Sequence, residues 1–244
     1  MNFRKLIRHP KRFFLKGKNK IIGQYNSIKY KGINVLCEIC GWKGQLFLNQ
    51  KCPKCNSVSR IRLLLFSLNY FDLESQDRKI LHIAPNINEF NYFRKHVTKM
   101  SNYDRLNIKK FDHINLNQDL TKTNIKSDTY DLVIAWHVFE HIPNDTKAIN
   151  EVYRLLKPNG NALVSVPIFP ENNIKTLEDE SIDYKDYEKI HGHYDHCRSC
   201  GFDYYERFES SGFSTKTLLA NKLKTTDLDK FGLKKDHVVW NFTK

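Results

Sequence analysis

No stretch of this 244-residue sequence approaches the roughly 20 consecutive apolar residues that a membrane-spanning helix needs. The N-terminus also lacks the uninterrupted apolar segment and the small-residue cleavage site of a secretory signal. Internal repeats and low-complexity blocks are absent as well. Because 40% of the residues are hydrophobic and 13% are aromatic, the chain can still bury a substantial core. We therefore expect a globular protein of the cytoplasm without a transmembrane segment.

Acidic residues are missing before Glu38, although the chain as a whole carries a net charge of +13. Ten positive charges in this segment leave only +3 for everything that follows, and they belong to Arg4, Lys5, Arg8, Lys11, Arg12, Lys16, Lys18, Lys20, Lys29 and Lys31. A basic arm that also contains Phe and Leu can contact RNA phosphates or an anionic membrane surface. It can equally be a solvated extension, and the charge alone does not decide between these interpretations.

The six cysteines all fall into C-x2-C pairs, a spacing that indicates metal binding in a reducing compartment. Cys37 and Cys40 form the first pair, and Cys52 and Cys55 form the second, eleven residues later. Two matched pairs predict a structural zinc site, since four thiolates close a tetrahedral shell and leave no position for a catalytic water. Metal-free thiols and a redox site are the alternatives. Gly41 and Asn56 follow the two pairs, where a tight turn favours residues that tolerate a positive φ.

The third pair, Cys197 and Cys200, follows a run of histidines at positions 191, 193 and 196. Both residue types bind zinc, but no second matched pair lies nearby in the sequence. We therefore expect free thiols and no metal in residues 191–200.

Four segments follow one another along the chain: a basic arm at 1–32, a zinc knuckle at 33–58, a helical linker at 59–78 and a larger domain at 79–244. In the larger domain, predicted strands alternate with predicted helices. A helix capped by Asn144 or Asp145 is expected to end at Pro158, with a turn at Gly160. This order predicts an α/β domain with a doubly wound, mostly parallel sheet and a terminal hairpin. The predicted strands are 80–84, 97–104, 113–116, Tyr130–Trp136, 162–168, 213–219 and 237–242.

Three segments carry a resemblance to a known family: KILHIAPN at 79–86, YDLVIAWHVFEHIPND at 130–145 and LLKPNGNALVSVP at 155–167. They resemble class I S-adenosylmethionine-dependent methyltransferases with a Rossmann-like fold, particularly those that act on small molecules and glycans. The resemblance covers roughly residues 79–244. The whole chain is similar to a bacterial subgroup in which a zinc knuckle precedes the methyltransferase domain.

In this family the cofactor lies across the carboxyl ends of the first four strands, in agreement with the general rule for doubly wound sheets. The resemblance implies that Asp104 accepts the ribose hydroxyls and that Asp119, with Leu120 beside it, takes the adenine amino group. It also implies that the turn after the first strand approaches the methionine part, through His82, Ala84, Pro85 and Asn86. The family's usual glycine-rich turn is absent here, and Ala with Pro narrows the freedom of the backbone.

The loop after Trp136 supplies His137, and His141 follows one helical turn later. A histidine can accept the proton of a hydroxyl near neutral pH, so we expect His137 first, and His141 second, to act as the base. O-methylation of a small molecule or glycan is the favoured reaction. One alternative is a ribosomal RNA methyltransferase whose basic arm, Arg60 and Arg62 hold phosphates. The other is a catalytically inactive binding module that keeps the fold.

Overall fold

The structure is a computed structural model that describes residues 21–74, 77–97 and 99–244. In this part of the chain there are two compact units. The first consists of residues 21–65 and 224–233, and the second of residues 66–223 and 234–244. Most of the predicted basic arm lies outside the described residues. Every helix within the described ranges is too short or too polar to span a bilayer.

The first unit contains a two-stranded antiparallel sheet, with β1 at Lys31–Cys37 and β2 at Trp42–Gly44. Residues 21–29 before it are helical. Helix α6, at Thr225–Phe231, belongs to the same unit and packs on β1. The sequence analysis placed this segment in the larger domain as a polar connection. The buried apolar residues around the sheet form a small group of Val35, Cys37, Trp42 and Cys52.

The second unit is built on a six-stranded sheet in the order β4-β3-β5-β6-β8-β7. Strands β4, β3, β5 and β6 are parallel, and β8 runs antiparallel to both β6 and β7. This arrangement confirms the doubly wound fold class and the terminal hairpin. The strands are β3 at Ile80–Ile83, β4 at Tyr103–Leu106, β5 at Tyr130–Trp136, β6 at Leu156–Ser165, β7 at Ser214–Leu219 and β8 at Val238–Thr243.

Two of the predicted strands are shorter than expected or displaced. The strand predicted at 97–104 begins only at Tyr103, because residues Met100–Asn102 form a 3₁₀ turn. The segment predicted at 113–116 contributes a single parallel bridge, from Leu116 to Leu106. Both segments are polar and short, so the pattern of apolar residues does not define their register.

The longer helices of the chain are α1 at Ser59–Tyr70, α2 at Ile87–His96 and α3 at Asp145–Leu155; α4 at Tyr187–His191 and α5 at Tyr205–Glu209 are short. The side chain of Asn144 caps α3 by accepting a hydrogen bond from the Lys147 amide, as predicted.

The end of α3 differs from the prediction. The helix ends at Leu155 and β6 begins at once, so Pro158 lies inside the strand. The left-handed turn falls on Asn159, with a φ of 62°, rather than on Gly160. Gly160 serves close packing instead, because a Cβ there would lie 2.8 Å from the Lys157 carbonyl oxygen.

The core of the second unit lies between β5, β6 and α3. All residues of β5 except Asp131 are buried. Ala148, Ile149 and Val152 of α3 are fully covered on the same core. Burying a side chain the size of Val or Ile contributes about 1.5–3 kcal/mol, so this packing holds the carboxyl end of β5 rigidly in place.

Candidate functional site

The four cysteines of the first unit meet at one point. The ligand atoms of Cys37, Cys40, Cys52 and Cys55 all lie within 4.8 Å of one another. The Sγ atoms of Cys37 and Cys55 are 3.6 Å apart, and those of Cys40 and Cys52 are 3.7 Å apart. Zinc bonded to four sulfurs at about 2.3 Å places those sulfurs about 3.8 Å apart. The cluster therefore fits a tetrahedral zinc ion.

The turns that carry these cysteines have the predicted backbone. The amide of Gly41 donates to the Cys37 carbonyl, and the amide of Asn56 donates to the Cys52 carbonyl. Gly41 has a φ of 67° and Asn56 a φ of 61°, which confirms the left-handed positions after both pairs. Hydrogen bonding to neighbouring sulfurs raises the pKa of the Cys40 thiol. A bound cation would favour the thiolate form of all four cysteines.

Arg62 stabilises the first unit from inside. Its guanidinium is fully buried and donates to the backbone carbonyls of Ser57, Gln50, Phe231 and Gly232. The guanidinium carbon also lies 3.8 Å from the centre of the Phe47 ring. Burial lowers the pKa of Arg62, and the charges of Cys37, Cys52 and Cys55 oppose this effect. The prediction that Arg62 binds phosphate is wrong, because its donors are occupied by the unit's own backbone.

The second unit has a cavity of about 700 Å³ at the carboxyl ends of β3, β4 and β5. This volume lies within the range of about 300–1,000 Å³ that is usual for small-molecule sites. Of the predicted site residues, the cavity is lined by Ala84, Asp119, Leu120, His137 and His141. Additional lining residues that the sequence analysis did not name include Asn107, Lys109, Phe111 and Asp195.

Four predicted cofactor residues do not line this cavity. Pro85 is buried, and its carbonyl lies 2.9 Å from His113 Nε2. His82 is fully buried, with Nδ1 3.0 Å from the Tyr103 hydroxyl. Burial lowers the pKa of His82 to about 3, so the ring is neutral. Ile83 and Ala84 reach the cavity because they lie at and just after the carboxyl end of β3, whereas His82 lies one residue farther inside the strand.

Asn86 and Asp104 are engaged elsewhere. The Asn86 side chain accepts hydrogen bonds from the amides of Asn88 and Glu89 and so caps α2. The Asp104 carboxylate accepts from Asn115 Nδ2 at 2.7 Å and from the Tyr130 hydroxyl at 2.9 Å. Because β4 continues to Leu106, the residue that reaches the cavity from its carboxyl end is Asn107, three positions after Asp104. The sequence analysis ended this strand at residue 104, two residues before its observed end at Leu106, and therefore named Asp104 rather than Asn107.

The turn after β3 has a backbone conformation that favours glycine, although no glycine lies in it. Ala84 has a φ of 48°, in the left-handed region that non-glycine residues seldom adopt. Its amide donates to the Leu106 carbonyl at 2.7 Å, which holds the turn against the end of β4. Ala84 has only a methyl group as its side chain, so it takes up little space at the cavity wall. The glycine-poor turn therefore leaves the cavity open.

The loop after β5 is also held in an unusual conformation. His137 has a φ of 55°, and its amide donates to the Ser165 carbonyl at the end of β6. Strained backbone of this kind is found disproportionately at functional sites. Glu140 is buried below the loop, with Oε1 3.6 Å from His137 Nδ1 and 3.7 Å from His141 Nε2. Both histidines predicted as bases thus face the cavity beside one buried carboxylate.

A residue that the sequence analysis missed fixes this loop. The buried guanidinium of Arg198 donates to the carbonyls of Phe139, Ile142 and Pro143 and to the carboxylate of Glu178. The loop and Arg198 are more than fifty residues apart in the sequence, and an isolated arginine carries no motif. No local signal could have identified this contact.

Cys197 and Cys200 form no disulfide bond. Cys197 Sγ donates to the Glu140 carbonyl, and Cys200 is buried in the apolar core. Burial raises the pKa of Cys200 to well above its usual range. Neither cysteine belongs to any group of metal-binding side chains found among the described residues.

The family model for a methyltransferase domain matches residues 4–217 of the chain. A methyltransferase of Mesorhizobium loti has a similar fold, with 14% identity and a TM-score of 0.50 over 73% of this chain and 96% of the other. A methyltransferase of Archaeoglobus fulgidus is 12% identical, with a TM-score of 0.52 over 77% of this chain and 95% of that one. No curated protein matches the sequence.

A third similar structure holds two bound molecules. It is the 1,6-didemethyltoxoflavin-N1-methyltransferase of Burkholderia thailandensis, solved with its acceptor and S-adenosylhomocysteine. This enzyme is 10% identical to the chain, with a TM-score of 0.52 over 76% of this chain and 78% of its own. At such low identity, the likeness establishes the shared fold alone.

Proposed function

This chain belongs to the family of methyltransferase domains and is an S-adenosylmethionine-dependent methyltransferase; on that premise we propose that it methylates a hydroxyl group of a small-molecule or glycan acceptor. The observation that carries the proposal is the cavity at the carboxyl ends of β3, β4 and β5, which brings Ala84, Asp119 and His137 together. Its volume suits a small ligand, and a histidine at its wall suits an acceptor that must lose a proton.

S-adenosylmethionine supplies an electrophilic methyl group on a sulfonium when it is bound. We assign three parts of its binding to residues of the cavity wall. The backbone at Ala84 would hold the methionine part, and Asn107 would bind the ribose hydroxyls in place of Asp104. The Asp119 carboxylate, which also accepts hydrogen bonds from the amide and hydroxyl of Thr121, takes the adenine amino group. A carboxylate suits this task because it only accepts hydrogen bonds.

Replacing Asp119 with Ala is expected to weaken binding of S-adenosylmethionine and S-adenosylhomocysteine by about 10- to 100-fold. Losing one hydrogen bond to a charged group costs about 1.5–3 kcal/mol, and each 1.4 kcal/mol is a factor of about ten. Titration calorimetry on zinc-loaded protein measures this change. The proposal fails if the wild-type protein gives no heat with either molecule.

Asp179→Ala is the matched control for this experiment. Asp179 is exposed and accepts hydrogen bonds from the amide and hydroxyl of Ser181, as Asp119 does from Thr121, but it does not line the cavity. Asp179→Ala therefore loses the same turn contacts and is expected to bind both molecules like the wild type. Equal affinity in Asp119→Ala would mean that the adenine is placed wrongly.

His137 is proposed to accept the proton of the acceptor hydroxyl. The strained loop holds its ring at the cavity wall, 3.6 Å from the buried Glu140 carboxylate, which favours a positive charge on the ring. His141 lies farther along the same loop and also lines the cavity.

His137→Ala is expected to lower kcat for methyl transfer by about 100-fold, the lower end of the usual contribution of a general base. The measurement is transfer of a radioactive methyl group, first to a panel of hydroxyl compounds and glycans and then to the acceptor so found. S-adenosylmethionine affinity is expected to stay unchanged, and added imidazole to restore part of the rate. His96→Ala, an exposed histidine at the end of α2, is the control. Transfer only to amino-bearing compounds would contradict the hydroxyl assignment.

We propose that the four-cysteine cluster binds one structural zinc ion. The sulfur separations and the closed, four-thiolate shell support this role. The alternative of an RNA substrate loses the support of Arg62, whose guanidinium is buried among backbone carbonyls.

A further inference from the structure

Three histidines and an aspartate from two distant segments meet at the rim of the cavity. His141 comes from the loop after β5, and His193, Asp195 and His196 come from the segment after α4. The ring centres of His141 and His196 are 4.7 Å apart, and those of His193 and His196 are 5.0 Å apart. His141 Nδ1 lies 3.2 Å from Asp195 Oδ1, which is also in contact with His193 Nδ1.

The side chains form two overlapping sets with the spacing that metal ligands need. Ligand atoms of His193, Asp195 and His196 lie within 4.8 Å of one another, and so do those of Glu140, His141 and His196. Imidazole nitrogen and carboxylate oxygen together suit ions such as zinc, cobalt, iron and nickel. This donor set differs from the sulfur cluster of the first unit.

His196 is the member that both sets share, and its surroundings prepare it to bind a metal. Its Nδ1 lies 3.1 Å from the His191 carbonyl, a contact in which the ring nitrogen must be the donor. That hydrogen bond leaves Nε2 with its lone pair free of a proton. A backbone carbonyl that fixes the second nitrogen in this way is the usual companion of a metal-bound histidine.

We propose that His141, His193, Asp195 and His196 bind one divalent transition-metal ion, separate from the four-cysteine site. The buried Glu140 carboxylate, 3.7 Å from His141 Nε2, adds a second negative charge to the group. Asp195 and His141 both line the cavity, so an ion here faces the bound acceptor. If the proposed hydroxyl acceptor is correct, the ion polarises that hydroxyl as a Lewis acid.

This inference departs from the expectation that residues 191–200 hold no metal. Cys197 and Cys200 belong to neither of the two sets of ligand atoms. The sequence analysis did not associate His141 with this segment, because His141 lies 54 residues before Asp195 and is brought to it only by the fold.

The test begins with protein that carries zinc in its four-cysteine site, to which cobalt(II) is added. We expect a further equivalent of cobalt to bind with visible d–d absorption but without thiolate-to-cobalt charge transfer, since its ligands are nitrogen and oxygen. Calorimetric titration with zinc gives the affinity. His193→Ala and Asp195→Asn are each expected to weaken this binding by more than about 100-fold, because removing even an outer partner of a ligand costs 10- to 100-fold.

Two controls distinguish this site from nonspecific binding of metal to surface histidines. His193 is exposed, and its ring contacts the exposed Tyr194 and members of the cluster, so its replacement is expected to leave the fold intact; His96→Ala removes an exposed histidine elsewhere. Unchanged binding is expected for His96→Ala. Binding of no further ion, or equal binding by His193→Ala, would overturn the proposal. Calorimetry with S-adenosylhomocysteine in the same variants separates a failure of the metal site from a failure of the proposed function. The proposed cofactor binding rests on Asp119 and not on these residues, so these variants are expected to bind S-adenosylhomocysteine like the wild type.

Discussion

Removal of the metal from the four-cysteine cluster is expected to unfold the first unit. Few buried apolar residues surround its sheet, and two of them, Cys37 and Cys52, are themselves proposed ligands of the metal. Metal binding to a structural zinc site supplies about 10–16 kcal/mol of apparent free energy at neutral pH, comparable to the whole stability of an ordinary domain. Without the ion, the apolar contacts that remain cannot offset the loss of chain entropy.

Hydrogen exchange measured after treatment with a strong chelator checks this expectation. Protection is expected to disappear from β1, β2 and α6, which belong to the first unit. Cys52→Ser is expected to reproduce the effect without chelator, because serine is a poor zinc ligand. Cys197→Ser is the matched control, since Cys197 belongs to no group of metal-binding side chains in the described residues. Full protection of β1 and β2 in Cys52→Ser would contradict a folding role for the metal.

The predictions that succeeded rest on local chemistry. The C-x2-C pairs and the residues after them specify two turns within a few positions, and the structure has both left-handed residues where the sequence required them. Strand β5 was predicted with its observed bounds because a continuous apolar run identifies a strand covered on both faces. The capping residue of α3 was likewise visible, as an Asn directly before a helical stripe.

Only some of the residues predicted to bind cofactor line the cavity, because strand register is not a local property. A shift in the predicted end of β4 moved the expected ribose contact to Asp104, whereas Asn107 reaches the cavity. His82 was assigned to the site for its position in a motif, but its side chain faces away from the cavity in a strand that is buried on both faces. His141 and Asp195 are 54 positions apart and are brought together only by the fold, so no local sequence pattern indicates their proximity.

Arg198 provides the largest expected effect in the second unit. Its guanidinium is buried and donates to three carbonyls of the loop that carries His141, while Asp145 and Glu178 supply the opposite charge. Arg198→Met is expected to lower the free energy of unfolding by about 3–5 kcal/mol, because it leaves the buried loop carbonyls without a donor and removes one of the two cations beside the buried Asp145. Chemical denaturation followed by tryptophan fluorescence measures the loss.

Arg207→Met is the matched control, since Arg207 contacts the same two carboxylates but is partly exposed and donates to no carbonyl of the loop. A smaller loss than for Arg198→Met is expected, because the Arg207 side chain is 29% exposed and the buried Asp145 keeps its ion pair with Arg198. If both variants lose the same stability, the loop carbonyls contribute little to the effect of Arg198.

The milder Arg198→Lys variant tests whether this residue positions the acceptor side of the cavity. Lysine keeps the charge but cannot donate to several carbonyls at once from a planar fork. We expect S-adenosylmethionine affinity to stay near the wild-type value, because Ala84 and Asp119 lie on other loops, while KM for the acceptor rises and kcat falls. If Arg198 had only a structural role, binding of S-adenosylmethionine and binding of the acceptor would be weakened equally. A selective loss on the acceptor side therefore identifies Arg198 as the residue that holds the loop after β5 in its working conformation.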